Sequence, residues 1–291
     1  MGALIDEFVS TVRRLVRDVH PTIMDAVNAV SRDASEKKDG SLVTETDRAV
    51  EEYFTRELQS AWPTIPVLGE ERVSDHDFSH EEPGRYYSKF MASDHQIIID
   101  PIDGTKNFVE GRQQFCIAAA LTARVDGGIW PICGVVGVPV KGLVYFCDSA
   151  GVQCEDIRSG TVTSVIRATN EADTMSASSK DREWLAKNRW ILQHPWVSSG
   201  SSVHDFLGTA LGALRGSVIG KQRLWDLLAP LGIASRLGCV LRDLASGELI
   251  TAIAPSDLSP ELERRPWGIG RRMVLLPATG DIRALVRLSE S

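Results

Sequence analysis

The sequence has no run approaching the roughly 18 apolar residues that a membrane span requires. Basic residues are also not in excess: 32 Lys and Arg stand against 39 Asp and Glu, a net charge of −7. A broad nucleic-acid surface needs a basic stripe, and no aromatic–basic motif supplies one, so a nucleic-acid polymer is not an expected partner. A local metal or arginine cluster can still attract a small anion against that global sign. The five cysteines, Cys116, Cys133, Cys147, Cys154 and Cys239, form no Cys-x-x-Cys pair and are odd in number. Reduced thiols are therefore expected rather than a disulfide framework. The N-terminal segment carries Asp6 and Glu7 where a signal peptide is basic and then apolar, and Asp6 argues against myristoylation at Gly2. A cytoplasmic protein without membrane attachment is the expectation. No internal repeat or low-complexity tract is present.

The chain does have enough length and apolar content, 291 residues at 43% hydrophobic, for a large core and two domains. Leu4, Ile5, Phe8, Val12, Leu15, Val16, Val19 and Ile23 recur at spacings of three and four. This predicts a long amphipathic helix over 3–30, interrupted or kinked near Pro21. A short strand from "SLVTETD" leads into a second helix with Val50, Phe54 and Leu58 on its apolar face, and Asp47 at its start suits a cap. "IPVLGEE" and "HQIIIDPIDG" read as strands ending in acids. A polar, looped stretch (72–94) lies between them. Antiparallel strands follow to about residue 155. Beyond that point strand-like "TVTSVIRA" and "RWILQH" interleave with helical "HDFLGTALGALRG" and "WDLLAPLGIASRLG". An α+β first half (1–155) and an α/β second half (156–291) are expected.

Carboxylates gather at the ends of three apolar elements: Glu70 and Glu71 after "IPVL", Asp100 and Asp103 after "III", and Asp226 after Trp225. Acids at strand ends in open α/β architectures sit where ligands bind. Singly, each has an ordinary use, as surface charge, turn residue or helix cap. Together they repel one another unless a cation sits among them. Oxygen ligands without His or Cys at metal spacing suit a hard ion such as Mg²⁺, which substrate phosphate commonly completes. In "DPIDGT", Pro101 holds Asp100 extended, which lets the two acids converge, and the Ile102 carbonyl is left available to a metal. Gly104 permits a tight turn, and Thr105 opens a helical turn with free N–H groups suited to phosphate.

These pieces resemble the inositol monophosphatase family of Mg²⁺-dependent, lithium-sensitive phosphatases. The resemblance rests on "LVTETD" (42–47), "GEE" (69–71), "DPIDGTKNF" (100–108), "GSS" (200–202) and "WDLLAPLGIASRLG" (225–238), in family order along essentially the whole chain. It implies a layered αβαβα sandwich, usually a homodimer. It implies that Glu70, Asp100 and the Ile102 carbonyl hold one Mg²⁺, and that Asp100, Asp103 and Asp226 hold a second. Glu70 would also lie near a weaker third ion. Glu71 and Thr105, the latter oriented by Asp47, would position and deprotonate the attacking water. The amides of Gly104 and Thr105 would bind phosphate, with no covalent phosphoenzyme. Lys38 is a further candidate for the site, with a solvated lysine as its ordinary reading.

The second half departs from the pattern. Inositol-specific members carry a glutamate seven residues before the "WD" aspartate, where this chain has Ile219. Ile219 cannot accept hydrogen bonds from substrate hydroxyls. Lys221 and Arg223 in the same loop offer charge to a second anionic group. The expected activity is hydrolysis of a small sugar or polyol phosphate, such as an inositol monophosphate or a related substrate. Fructose 1,6-bisphosphate, 3′-phosphoadenosine 5′-phosphate and histidinol phosphate are the alternatives. "SASSK" (176–180), Gly200, Ser201, Ser202 and His204 are candidates for the leaving-group side. A catalytically silent regulatory protein should have lost a metal acid or Thr105, and none is missing.

Overall fold

The computed structural model describes residues 1–29, 34–37, 42–74, 83–168, 172–220, 222–258 and 267–288. The N-terminal apolar stripe folds as one helix, Gly2–Asn28, burying Ile5, Phe8, Val12, Leu15, Val16, Val19 and Ile23. Pro21 does not interrupt it, contrary to the expectation from its missing N–H. Core contacts made by Val19 and Ile23, on either side of the proline, outweigh the lost hydrogen bond. The next helix, Glu45–Ala61, buries Val50, Phe54 and Leu58 on the same apolar face as Asp47 and Glu51.

Among the described residues, seven strands form the first sheet in chain order: Val67–Gly69, His95–Asp103, Cys116–Val125, Gly128–Val138, Leu143–Asp148, Gly151–Asp156 and Val162–Ser164. The first pair is parallel and the rest are antiparallel. The second sheet has six strands among the described residues, ordered Trp196–Val197, Met175–Ser176, Ser217–Ile219, Met273–Pro277, Cys239–Asp243 and Leu249–Ile250. Helices Gly2–Asn28 and Glu45–Ala61 cover one face of the first sheet. Helices Ser202–Leu211 and Leu224–Arg236 lie between the two sheets, the latter so enclosed that Leu224 to Ala234 are buried without a break except at Asp226. Helix Ser179–Lys187 packs beyond the second sheet, where Leu185 joins Met175, Val218, Val274 and Leu276 in a separate apolar cluster. The order of layers is αβαβα.

Strand alternation explains how one sheet serves two cores. Met273 and Leu275 face the main core, whereas Val274 and Leu276 face the outer cluster. Truncating a fully buried residue such as Ile98 to Ala should cost about 2–5 kcal/mol. The stretch 72–94, read from sequence as a loop, is partly helical. Helix Glu70–Ser74 enters it, and helix Pro83–Ala92 buries Phe90 against the tilted and edge-on rings of Tyr86 and Trp267. Its middle, 75–82, lies outside the described residues. All five cysteines are free thiols. Among the described residues, no helix is long and apolar enough to cross a membrane.

Candidate active site

The strand His95–Asp103 delivers the first two acids through a break in its register. Asp100 pairs with Ala118, but Asp103 pairs with Cys116, so three steps on one strand face two on the other. Residues three apart on a regular strand point to opposite faces, and one extra residue restores them to the same face. The bulge contains Pro101, whose missing N–H is tolerated where the ladder is interrupted. Asp100, Asp103 and Asp226 thereby each present an oxygen within 4.8 Å of the others. Asp226 comes from the first turn of helix Leu224–Arg236, where its Oδ2 also accepts the Arg223 N–H at 3.0 Å.

Gly104 follows at φ 87°, a left-handed conformation that a side chain would strain, and a Cβ there would lie 3.0 Å from the Gln114 carbonyl oxygen. That turn starts helix Thr105–Glu110. Thr105 Oγ1 lies 3.2 Å from Asp47 Oδ1 and 3.1 Å from the Ile102 carbonyl oxygen. Asp47 is not the N-cap of its helix. Thr44 is the cap, and Asp47 closes a capping box by accepting the Thr44 N–H at 2.9 Å. The Thr44 hydroxyl also bonds Asp47 Oδ2, so one carboxylate joins the helix start to Thr105.

Glu70 and Glu71 open helix Glu70–Ser74, directly after strand Val67–Gly69. Lys37 bridges them, with Nζ 2.9 Å from Glu70 Oε1 and 2.8 Å from Glu71 Oε1. The sequence offered Lys38 for this neighbourhood. Lys38 lies outside the described residues; Lys37 reaches the acids. "EKKDG" signals lysines here, and Lys37 is one that turns inward.

The electrostatics follow from burial. Asp100 is pushed well above the usual carboxylate range by desolvation, then by Glu70, Asp103 and Asp226. Asp103 is raised by burial and by Asp226, although bonds from the Ser201 hydroxyl and the Val203 N–H oppose the rise. Asp226 is raised to about 7 by burial and Glu70, and Glu71 to about 9 by burial and Glu70 against the favourable charge of Lys37. Both Asp100 carboxylate oxygens and Glu71 Oε2 are buried with no hydrogen-bond partner among the described residues. Buried carboxylates that lack donors and repel one another are matched by a cation. The all-oxygen donor set fits a hard divalent ion.

The other expected residues sit around this cluster. The Ser201 hydroxyl bonds Asp103, and Gly200, at φ 87°, leaves no space for a Cβ against Asn107. Asn107 Nδ2 donates to the Ser199 carbonyl at 2.8 Å and ties that loop to the turn after Gly104. Ser202 Oγ donates to Gln222 Oε1 at 3.1 Å, and the Arg223 guanidinium lies 5.5 Å from the Trp225 ring centroid. Ser176 Oγ donates to Asp205 Oδ2 at 2.8 Å, while His204 Nδ1 lies 3.9 Å from Asp205 Oδ1. Ile219 is fully buried in strand Ser217–Ile219, and Lys221 lies outside the described residues. Sequence reasoning missed Lys37, Asn107, Asp205 and Glu51. Only Glu51 left a clear signal: with Asp47 it places two acids, four residues apart, on a helical face otherwise occupied by Val50, Phe54 and Leu58.

The model of the inositol monophosphatase family matches residues 5–263. Histidinol-phosphatase of Streptomyces coelicolor is 34% identical over 223 residues, 74% of this chain and 78% of that one. The 3′(2′),5′-bisphosphate nucleotidase CysQ of Escherichia coli K12 is 27% identical over 250 residues, 86% of this chain and 96% of that one. Inositol monophosphatase of Dictyostelium discoideum is 31% identical over 122 residues, spanning 42% and 41% of the two chains. Among solved structures, an inositol monophosphatase of Thermotoga maritima superposes with a TM-score of 0.66 at 19% identity, covering 94% of this chain and 92% of that one.

Proposed function

The chain belongs to the inositol monophosphatase family and is a phosphoric monoester hydrolase, and from that premise we propose how its residues carry the reaction. The observation that carries the reading is the convergence of Asp100, Asp103 and Asp226, with both Asp100 oxygens buried and unpartnered among the described residues. Glu70, Asp100, the Ile102 carbonyl, Asp103 and Asp226 would hold two to three Mg²⁺ ions. When bound, the ions supply positive charge that polarises the phosphoryl oxygens and make water more acidic.

The protein's own groups do the rest. Thr105 has one hydroxyl proton, and both neighbours of Oγ1, Asp47 Oδ1 and the Ile102 carbonyl, are acceptors. Its proton is therefore committed to one of them, leaving its lone pairs to accept a hydrogen bond from water. This orients the water's oxygen toward phosphorus. Burial and Glu70 hold a proton on Glu71 in the metal-free site; once bound cations replace that proton, the freed carboxylate receives the water's proton. The amides of Gly104 and Thr105 hold the phosphate, with Asp103 beside them. Water attacks, the ester P–O bond breaks, and the alcohol and inorganic phosphate leave without a covalent enzyme intermediate.

Residues 1–155 supply every acid except Asp226, and residues 156–291 select the leaving group. Gly200, Ser201, Ser202 and Arg223 face that side. Ser201 contributes through its backbone or as an acceptor, because its hydroxyl proton is committed to Asp103. Burial of Ile219 argues against an inositol monophosphate, since the position that would take its hydroxyls is apolar and inside the core. Arg223 favours a substrate with a second anionic group, and the bisphosphate nucleotidase covered over 96% of its length supports the same class. The histidinol-phosphatase relative supports the competing reading. A homodimer in the cytoplasm, inhibited by Li⁺, completes the proposal.

The test is phosphate release with Mg²⁺ from inositol 1-phosphate, 3′-phosphoadenosine 5′-phosphate, fructose 1,6-bisphosphate and histidinol phosphate. Wild type and Asp226→Asn are compared on each. Turnover of a bisphosphate that disappears in the variant is expected. Activity undiminished in Asp226→Asn would sink the metal roles, and preference for inositol 1-phosphate would sink the substrate reading.

A further inference from the structure

Glu51 is an acid in the middle of a helix, 1% exposed, and no step of the proposed reaction uses it. Its carboxylate reaches across to the backbone of the neighbouring helix Glu70–Ser74. Oε2 accepts the Glu71 N–H at 2.7 Å and Oε1 accepts the Arg72 N–H at 2.8 Å. These two amides belong to the first turn of a helix, where N–H groups have no partner within the helix itself. A side chain just before the helix usually satisfies them. Here that position is Gly69, which has no side chain, and a methyl group added to it would overlap the Glu51 carboxyl group. Glu51 therefore provides the cap from another element, and Gly69 provides the space for it.

Helix Glu70–Ser74 has only five residues, too few to hold their own shape in water. The direction of Glu70 and Glu71 must be set from outside. Strand Val67–Gly69 pairs with Ile97–Ile99 and fixes the chain up to Gly69. Beyond Gly69, the paired hydrogen bonds to Glu51 fix the backbone, while Lys37 holds the two carboxylates at their tips. One turn earlier on the same helix, Asp47 bonds Thr105. Helix Glu45–Ala61 thus touches both sides of the site through two acids four residues apart.

We propose that Glu51 is a positioning residue: through the Glu71 and Arg72 amides it sets the placement of Glu70 as a metal ligand and of Glu71 as the group beside the water. The roles of Glu70 and Glu71 rest on the phosphatase reading, whereas the hydrogen bonds from Glu51 do not. Replacing Glu51 by Gln turns one acceptor into a donor facing an N–H, so one bond is lost and one of the two amides is left without its acceptor. Gly69→Ala reaches the same result from the other side by displacing the carboxylate. Glu51→Asp keeps both acceptors but withdraws them by one methylene.

The experiment measures Mg²⁺ binding to metal-stripped protein by calorimetry without substrate, the melting temperature in EDTA, and kcat and KM on any substrate found active. Hydrogen exchange at the Glu71 and Arg72 amides is followed in the metal-free parent. Mg²⁺ affinity should fall about tenfold in Glu51→Gln and Gly69→Ala, a change of about 1.4 kcal/mol, with Glu51→Asp retaining most of it. The drop in kcat should exceed the change in substrate KM, because phosphate is held by other groups. The two amides should be strongly protected in the parent. Folded Glu51→Gln and Gly69→Ala proteins that bind Mg²⁺ within about twofold of the parent would overturn the proposal, whatever their melting temperatures. So would amides exchanging at open-loop rates, a measurement that requires no variant to fold. A parent that binds no Mg²⁺ would instead count against the metal reading, while the exchange measurement still decides on Glu51.

Discussion

Changing the pH of the metal-free protein exposes the cost of the acid cluster. Glu71 ordinarily titrates near 4.5 and is raised to about 9 in the fold. Asp226 is raised to about 7 from an ordinary 3.8. An acid whose folded pKa is raised holds a proton that the unfolded chain has released. Stability from that proton is fully present below the unfolded value and is lost as pH rises through the folded one. From about pH 6.5 to about pH 8.5 the Glu71 proton alone should remove about 2.5 kcal/mol, at about 1.4 kcal/mol per pH unit. A chain of this length unfolds with an entropy near 0.6 kcal/mol per degree, so the loss corresponds to about 4 °C. Asp226 adds to the lower part of the window, and Asp100 and Asp103, raised well above their ordinary range, shift in the same direction. Bound Mg²⁺ replaces these protons, so the loss should vanish in its presence. The assay is thermal unfolding across that window in EDTA and in saturating Mg²⁺. Subtracting the two curves cancels titrations elsewhere in the molecule. The Mg²⁺-induced rise in melting temperature should be at least about 4 °C larger at the alkaline end. Parallel curves, agreeing within about 1 °C, would refute the claim that these acids form one cation-dependent cluster.

Three further outcomes follow from the same geometry. Asp47→Asn should cut kcat by about 10²–10⁴-fold by releasing Thr105, and should lower stability by about 1 kcal/mol through the lost capping box; phosphate release and urea unfolding check the two parts. Lys37→Met removes the ammonium that bridges Glu70 and Glu71, so its metal-free form should melt lower while calorimetric Mg²⁺ affinity is not reduced; loss of Mg²⁺ binding would contradict this. Gly104→Ala should cost about 1–3 kcal/mol in chemical unfolding, because it forces a side chain into left-handed backbone against the Gln114 carbonyl.

Much of the candidate site could be read along the chain because its acids follow apolar strands and its tight turn into Thr105 follows a glycine, both local patterns. Helices at Gly2–Asn28 and Glu45–Ala61 were legible for the same reason: their apolar spacing is periodic within the segment. The errors have a common origin. Helix Pro83–Ala92 reads as loop because its buried residues, Phe90 and Met91, are adjacent rather than spaced at a helical period, and Trp267, the partner of Phe90, is distant in sequence. Pro21 was given too much weight because the contacts that carry the helix past it come from other elements.

The sequence by itself determined which acids exist, that Pro101 and Gly104 shape the turn around them, and that Ile219 cannot serve a polyol. Tertiary structure alone decided how those pieces meet. Asp226 joins Asp100 and Asp103 across 123 residues from Asp103 because its helix lies between the two sheets. A one-residue mismatch with the neighbouring strand, invisible without that strand, turns Asp103 to the same face as Asp100. Lys37 pairs with both glutamates, and Glu51 caps a helix to which it is not joined. Local pattern fixes what a residue can do, but hydrogen bonds and ion pairs act over about 3 Å, a distance that only the folded chain sets.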